Sequence, residues 1–225
     1  MSQTITLKSP IDGFEFTALH AMPAHKPIGG VIVIQEIFGL DDFIQADVKR
    51  WADAGYEVVA PSMFDRQERG FTALHDEAGF EVGFRYAKAN GADNALADIQ
   101  ACIDFLSPKG PVFIVGYCYG GTFSWLAAGK LSGLSAASCY YGGSIPQHLD
   151  VTPKCPTILH FGAKDPYLPL DDVEPAIKAA HPEVPLYVYE NSGHGFNNDG
   201  RPDSNKADAD LARQRTRELF AANAG

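Results

Sequence analysis

Residues 112–121 read VFIVGYCYGG. The run from Val112 to Val115 is β-branched and aromatic, which suits a buried strand. It ends at Gly116, and the pair Gly120–Gly121 follows just past Cys118. A residue without Cβ lets a helix pass close to the strand it has just left, so the spacing predicts a sharp strand-to-helix turn. The pattern G-x-C-x-G is that of a nucleophile elbow, with a cysteine in the reactive place. A thiol there needs a base, and the rest of the chain must supply it.

Outward from this stretch, strands alternate with helices. QTITLKSP and FEFTALHAM, with Gly13 between them, predict an N-terminal hairpin. GGVIVIQE predicts a buried strand, and DDFIQADVKRWADAG a helix that ends at Gly55. YEVVAPSMF, PVFIVG, SAASCYYGG, PTILHFGAKD and PLYVYEN predict further strands. NALADIQACIDFLSP, GGTFSWLAAGK, DDVEPAIKAAH and KADADLARQRTRELFAA predict the helices. Such alternation implies βαβ units: an α/β fold with a mostly parallel central sheet and helices on both faces. With no repeat and no linker-like segment, residues 1–225 are expected to form a single domain.

The formal net charge of −10 disfavours nucleic acid and anionic membranes as partners. No apolar run reaches the ~18 residues of a membrane span, and MSQTITLKSP lacks a secretory h-region. A cytoplasmic location is therefore expected. The four cysteines form neither a CxxC pair nor a Cys/His cluster, so neither a metal nor another cofactor is expected. Oligomeric state is not legible.

In parallel sheets the ligand crevice lies at the carboxyl ends of the strands. The residues just past those ends are Glu36, Cys118, Asp165 and His194. The order Cys118…Asp165…His194 is that of the nucleophile, acid and base of α/β-hydrolases. In that arrangement Cys118 attacks a carbonyl carbon, His194 carries the proton, and Asp165 fixes the imidazole. The amides of Tyr119 and Ile37 are expected to form the oxyanion hole. Cys102, Cys139 and Cys155 lie within or beside predicted core segments and are expected to pack. His160 sits inside a strand. His20, His25, His75, His148 and His181 lack the glycine setting of ENSGHGF and are expected at the surface, as are Arg66 and Arg69.

QEIFGL, AGYEVVAPSMFDRQ, VGYCYGG, HFGAKDP and ENSGHGF stand in this order along the chain. With them the sequence resembles the dienelactone hydrolase (carboxymethylenebutenolidase-like) family of the α/β-hydrolase superfamily. The resemblance implies a triad of Cys118, His194 and Asp165, and a Glu36 that contacts the resting thiol and helps activate it when substrate binds. It also implies two arginines that hold a substrate carboxylate. Phe80 and Asn198 stand at those positions here, and the segment before the elbow helix offers Arg85 alone. The expected substrate is thus a small lactone or activated ester, with Phe38, Phe84, Arg85, Phe196 and Asn198 around it. A thioesterase, an acyltransferase or a non-catalytic binding protein of the same fold are the alternatives.

Overall fold

The computed structural model describes residues 2–225. Strands β1 (Ser2–Lys8) and β2 (Glu15–Ala21) form the predicted hairpin, in register from Ser2 opposite Ala21 to Lys8 opposite Glu15. β3 (Gly30–Ile34), β4 (Glu57–Pro61), β5 (Val112–Tyr117), β6 (Leu134–Tyr140), β7 (Thr157–Gly162) and β8 (Leu186–Tyr189) follow. They form one sheet of order β1-β2-β4-β3-β5-β6-β7-β8. It is parallel from β4 to β8, and β2 joins β4 antiparallel.

β-Alternation sorts the sheet's two faces. Ile32 and Ile34 of β3 point to one side, the face that α3 (Ala92–Leu106), α4 (Tyr119–Lys130) and α5 (Leu170–Ala180) cover with Leu96, Ile99, Trp125 and Ile177. Val31 and Val33 point to the other, under α1 (Asp42–Asp53) and α6 (Lys206–Ala222), with Ile44, Val48, Trp51 and Phe220. Period-2 strands that are apolar throughout are what a sheet buried on both faces requires. Beneath α1, the buried Asp47 accepts from the Tyr117 hydroxyl at 2.8 Å and Trp51 Nε1 at 3.2 Å, and pairs with Arg50.

A further helix, α2 (Glu77–Asn90), is absent from the sequence expectation. Asp76 caps it, with Oδ1 accepting from the Gly79 amide at 2.8 Å. Several surface expectations are also corrected. His20 is buried against Glu57 at 2.8 Å, and His181 is buried with Nε2 2.9 Å from the Leu149 carbonyl. Arg66 is enclosed between Asp12 at 2.6 Å and Asp98 at 3.0 Å. In each case a carboxylate or a backbone carbonyl elsewhere in the chain pairs with the polar group that burial would otherwise strand. Among the described residues no helix is long and apolar enough to cross a membrane.

The chain winds from β3 outward to β4 on one side, and β5 lies on the other side of β3. The loops that leave β3 and β5 therefore diverge and open a crevice at their carboxyl ends.

Candidate active site

Cys118 occupies the turn between β5 and α4 with φ 53° and ψ −110°. A residue with a Cβ is strained there. The neighbouring backbone holds it: the Cys118 amide donates to the Tyr140 carbonyl at 3.0 Å and the Gly120 amide to the Gln35 carbonyl at 3.1 Å. A Cβ on Gly116 would lie 2.1 Å from the Gly120 carbonyl oxygen, and one on Gly120 2.3 Å from that of Ile34. The glycines read from the sequence are thus required by close approach. Cys118 also stands at the N-terminus of α4, where the helix dipole favours an anion.

His194 follows β8. Its Nδ1 donates to Asp165 Oδ2 at 2.7 Å, because a carboxylate can only accept. The other carboxylate oxygen of Asp165 accepts from the Tyr167 amide at 2.9 Å. The ring is flanked by Tyr141 and Tyr167, with centroids at 5.1 and 5.2 Å. Burial works against the protonated imidazole. The Cys118 sulfur and the bonded Asp165 outweigh it and push His194 up to about 11.

Glu36 is 1% exposed. Asn198 Nδ2 donates to its Oε2 at 3.1 Å, and Oε1 has no hydrogen-bond partner. Arg201 Nη1 stands 4.0 Å from that oxygen. Burial raises the carboxyl above the usual range, Arg201 opposes this, and Asp41 adds to it. Glu36, Asp41 and His75 present ligand atoms within 4.8 Å of one another. Two of the three are already engaged with each other, since Asp41 caps α1 through Oδ1 and takes His75 Nε2 at 2.6 Å. This bond also fixes His75 as a plate stacked on Phe38, 4.1 Å between centroids.

A cavity of about 460 Å³ opens over the thiol. Cys118, His194, Ile37, Phe38, Phe84 and Arg201 all contribute to its wall. Tyr119 lines it as well, and among the described residues neither its amide nor that of Ile37 donates to a backbone carbonyl. Three residues expected around the substrate lie elsewhere. Phe196 is fully buried among Tyr140, Tyr141 and Tyr189, because Gly195, at φ 75°, turns it into the core under α6. Arg85 follows Phe84 by one residue and so lies ~100° around the helix, on the solvent side over the Tyr86 ring. Asn198 stands behind Glu36 and holds it, facing a neighbouring depression.

The sequence reading missed Arg201, the guanidinium of the cavity wall. Its Nε bonds Asp203 at 3.1 Å, and it lies over Gly195, where a Cβ would come within 2.8 Å of Nε. A glycine directly after His194 was the available signal. Tyr141 was missed too. It has φ 38°, and with Cys118 it is one of two non-glycine residues of positive φ among those described. Its buried hydroxyl has no partner.

A doubly wound sheet that places a thiol on a strained elbow beside a His–Asp pair has the frame of an α/β-hydrolase. The chain belongs to the dienelactone hydrolase family, whose profile matches residues 16–224. The carboxymethylenebutenolidases of Pseudomonas putida and Pseudomonas knackmussii are each 32% identical to it over 206 residues, 87% of this chain and 86% of theirs. A crystal structure from Klebsiella pneumoniae subsp. pneumoniae MGH 78578, named "Putative Dienelactone Hydrolase", superposes with a TM-score of 0.82 at 28% identity. It covers 98% of this chain and 99% of its own. An α/β serine hydrolase homologue from Coxiella burnetii shares the fold at a TM-score of 0.70 and 12% identity. Family and relatives make this chain a hydrolase acting on esters or lactones.

Proposed function

We propose that the protein hydrolyses small lactones or activated esters through a Cys118–His194–Asp165 triad and a thioester acyl-enzyme. The observation that carries this reading is the 2.7 Å His194–Asp165 bond, which leaves Nε2 of the same ring for the cavity that Cys118 lines. The thiol proton passes to His194. The thiolate attacks the carbonyl carbon, and charge collects on an oxygen held by the Ile37 and Tyr119 amides. As the adduct collapses, the C–O bond breaks and the leaving oxygen takes the proton from His194. Water then attacks the thioester, His194 receives its proton, and the acid leaves with Cys118 restored.

Asp165 supports the imidazolium, which agrees with the raised pKa of His194. Glu36 Oε1, lacking a partner, is the second acceptor within the site for the resting thiol. Competition between the two acceptors gives Glu36 its gating role. A thiolate leaves more readily than an alkoxide, so good alcohol leaving groups are favoured over amides.

The test is turnover of p-nitrophenyl acetate, with an acetyl adduct on Cys118 trapped by acid quench and seen by mass spectrometry. Cys118→Ala and His194→Ala should both abolish turnover. Activity that persists in both, or an adduct elsewhere, removes the triad assignment.

A further inference from the structure

Cys118, His194 and the oxyanion amides account for the reactive end of the cavity, but not for its far end. There α2 presents Phe80 and Phe84, 44% and 58% exposed, with their rings stacked at 6.0 Å and 9° between planes. Large aromatic rings gain most when covered, burying about 150–250 Å² each. Across the cleft α4 presents Phe123 and Leu126, with Tyr119 and Phe123 in contact at 4.5 Å between centroids. Positions four apart lie on one face of a helix, so the two helices turn matched apolar stripes toward each other.

The direction of the substrate follows from the proton path. The leaving oxygen must lie against His194, whose ring neighbours are Tyr141 and Tyr167. The acyl group extends the other way, between α2 and α4. Two cations line the cavity: Arg201, already faced by Asp203 at 3.1 Å and Glu36 at 4.0 Å, and Lys88 of α2, which is exposed so that water screens its charge. A volume of about 460 Å³ exceeds what an acetyl group fills and lies within the ordinary range for small-molecule sites, about 300–1,000 Å³.

We propose that the cleft between α2 and α4 selects an uncharged, elongated apolar acyl group, and that Phe80 and Phe84 are the residues that select it. This rests on the hydrolase reading above. Each fully buried methylene is worth about fourfold in kcat/KM. Half-burial in an open cleft predicts that a hexanoyl ester exceeds the acetyl ester by roughly 15-fold.

The experiment compares p-nitrophenyl acetate, hexanoate and the mono-glutarate ester in the intact protein, in Phe84→Ala and in the Phe80→Ala/Phe84→Ala pair. Thermal melts confirm that the variants fold, and Phe84→Leu serves as the conservative control. The hexanoyl-to-acetyl ratio should collapse to below about threefold in the double variant and be largely retained in Phe84→Leu. A flat ratio in the wild type, a ratio unchanged in the double variant, or a preference for the anionic glutarate ester overturns the proposal. Hydrolysis that survives Cys118→Ala defeats the triad reading instead, whereas Cys118-dependent activity indifferent to acyl length defeats the present inference alone.

Discussion

Gly83 lies in the middle of α2, where glycine costs helix stability, and Gly83→Ala should nevertheless damage the enzyme. An ideal Cβ at this position lies 2.1 Å from the Ile37 carbonyl oxygen and 3.2 Å from the Ile37 Cβ. Ordinary contact begins near 3.4 Å, so α2 and the Ile37 loop must separate by more than an ångström. Ile37 is the residue whose amide faces the developing oxyanion in the proposed mechanism. Its donor must stay within about 2.7–3.1 Å of that oxygen to be useful. Loss of one such donor costs about 10²–10³ in kcat, and misplacement by 1 Å about 10². Against this stands a helix-propensity gain of about 1 kcal/mol for alanine over glycine. The expected outcome is a kcat on p-nitrophenyl acetate lowered by about 10- to 100-fold, in a protein that still melts cooperatively. A Tm that rises with kcat unchanged would show that α2 does not bear on the oxyanion loop, and would refute the reasoning.

Two further outcomes are expected. With the Cys118 thiol ionised beside it, His194 is pushed up to about 11, above its ordinary 6.5, so in that ion pair its ring proton signal should not titrate between about pH 6 and 9 by NMR. Because Cys118 is the leading influence raising it, Cys118→Ala should bring the midpoint down toward neutrality; an unmoved midpoint would mean that the thiol and imidazole do not interact. Asp47→Ala leaves the buried Tyr117 hydroxyl and the Trp51 Nε1 without an acceptor. It should lower unfolding free energy in urea by about 3 kcal/mol, with Tyr117→Phe costing about 1, and equal effects would mean that the network is not shared.

Most strands were legible because they carry a short β-branched or aromatic run with punctuation at the ends, whereas β6, LSAASCY, was read from its place between a helix and the Gly142–Gly143 loop. The elbow was legible because its glycines answer a steric demand that any side chain would violate. Glu36, Asp165 and His194 could be picked out because each falls just past a strand. α2 was not legible for a matching reason: Gly79 and Gly83 depress helix propensity, and its apolar residues face a cavity as much as a core. The glycines that hid the helix are those that let it sit closely, Gly83 on Ile37 and Gly79 on the Leu74 carbonyl. Phe196 and Phe84 could not be told apart by type, since Gly195 alone decides which way Phe196 turns. Arg201 escaped because the loop after His194 doubles back, so distance along the chain misstates distance in space.

Glu36, Cys118, Asp165 and His194 are scattered over the length of the chain and meet only because the sheet brings its strand ends together. The two proposed acyl selectors, Phe80 and Phe84, come in contrast from one continuous segment, residues 77–90. On the proposed reading, chemistry and choice of substrate are written in separable parts of the gene. Exchanging this single helix among relatives would trade acyl preference without disturbing the reactive centre, provided that every donor helix keeps a glycine where it rests on Ile37. The segment works as a cartridge, and Gly83 is its fitting.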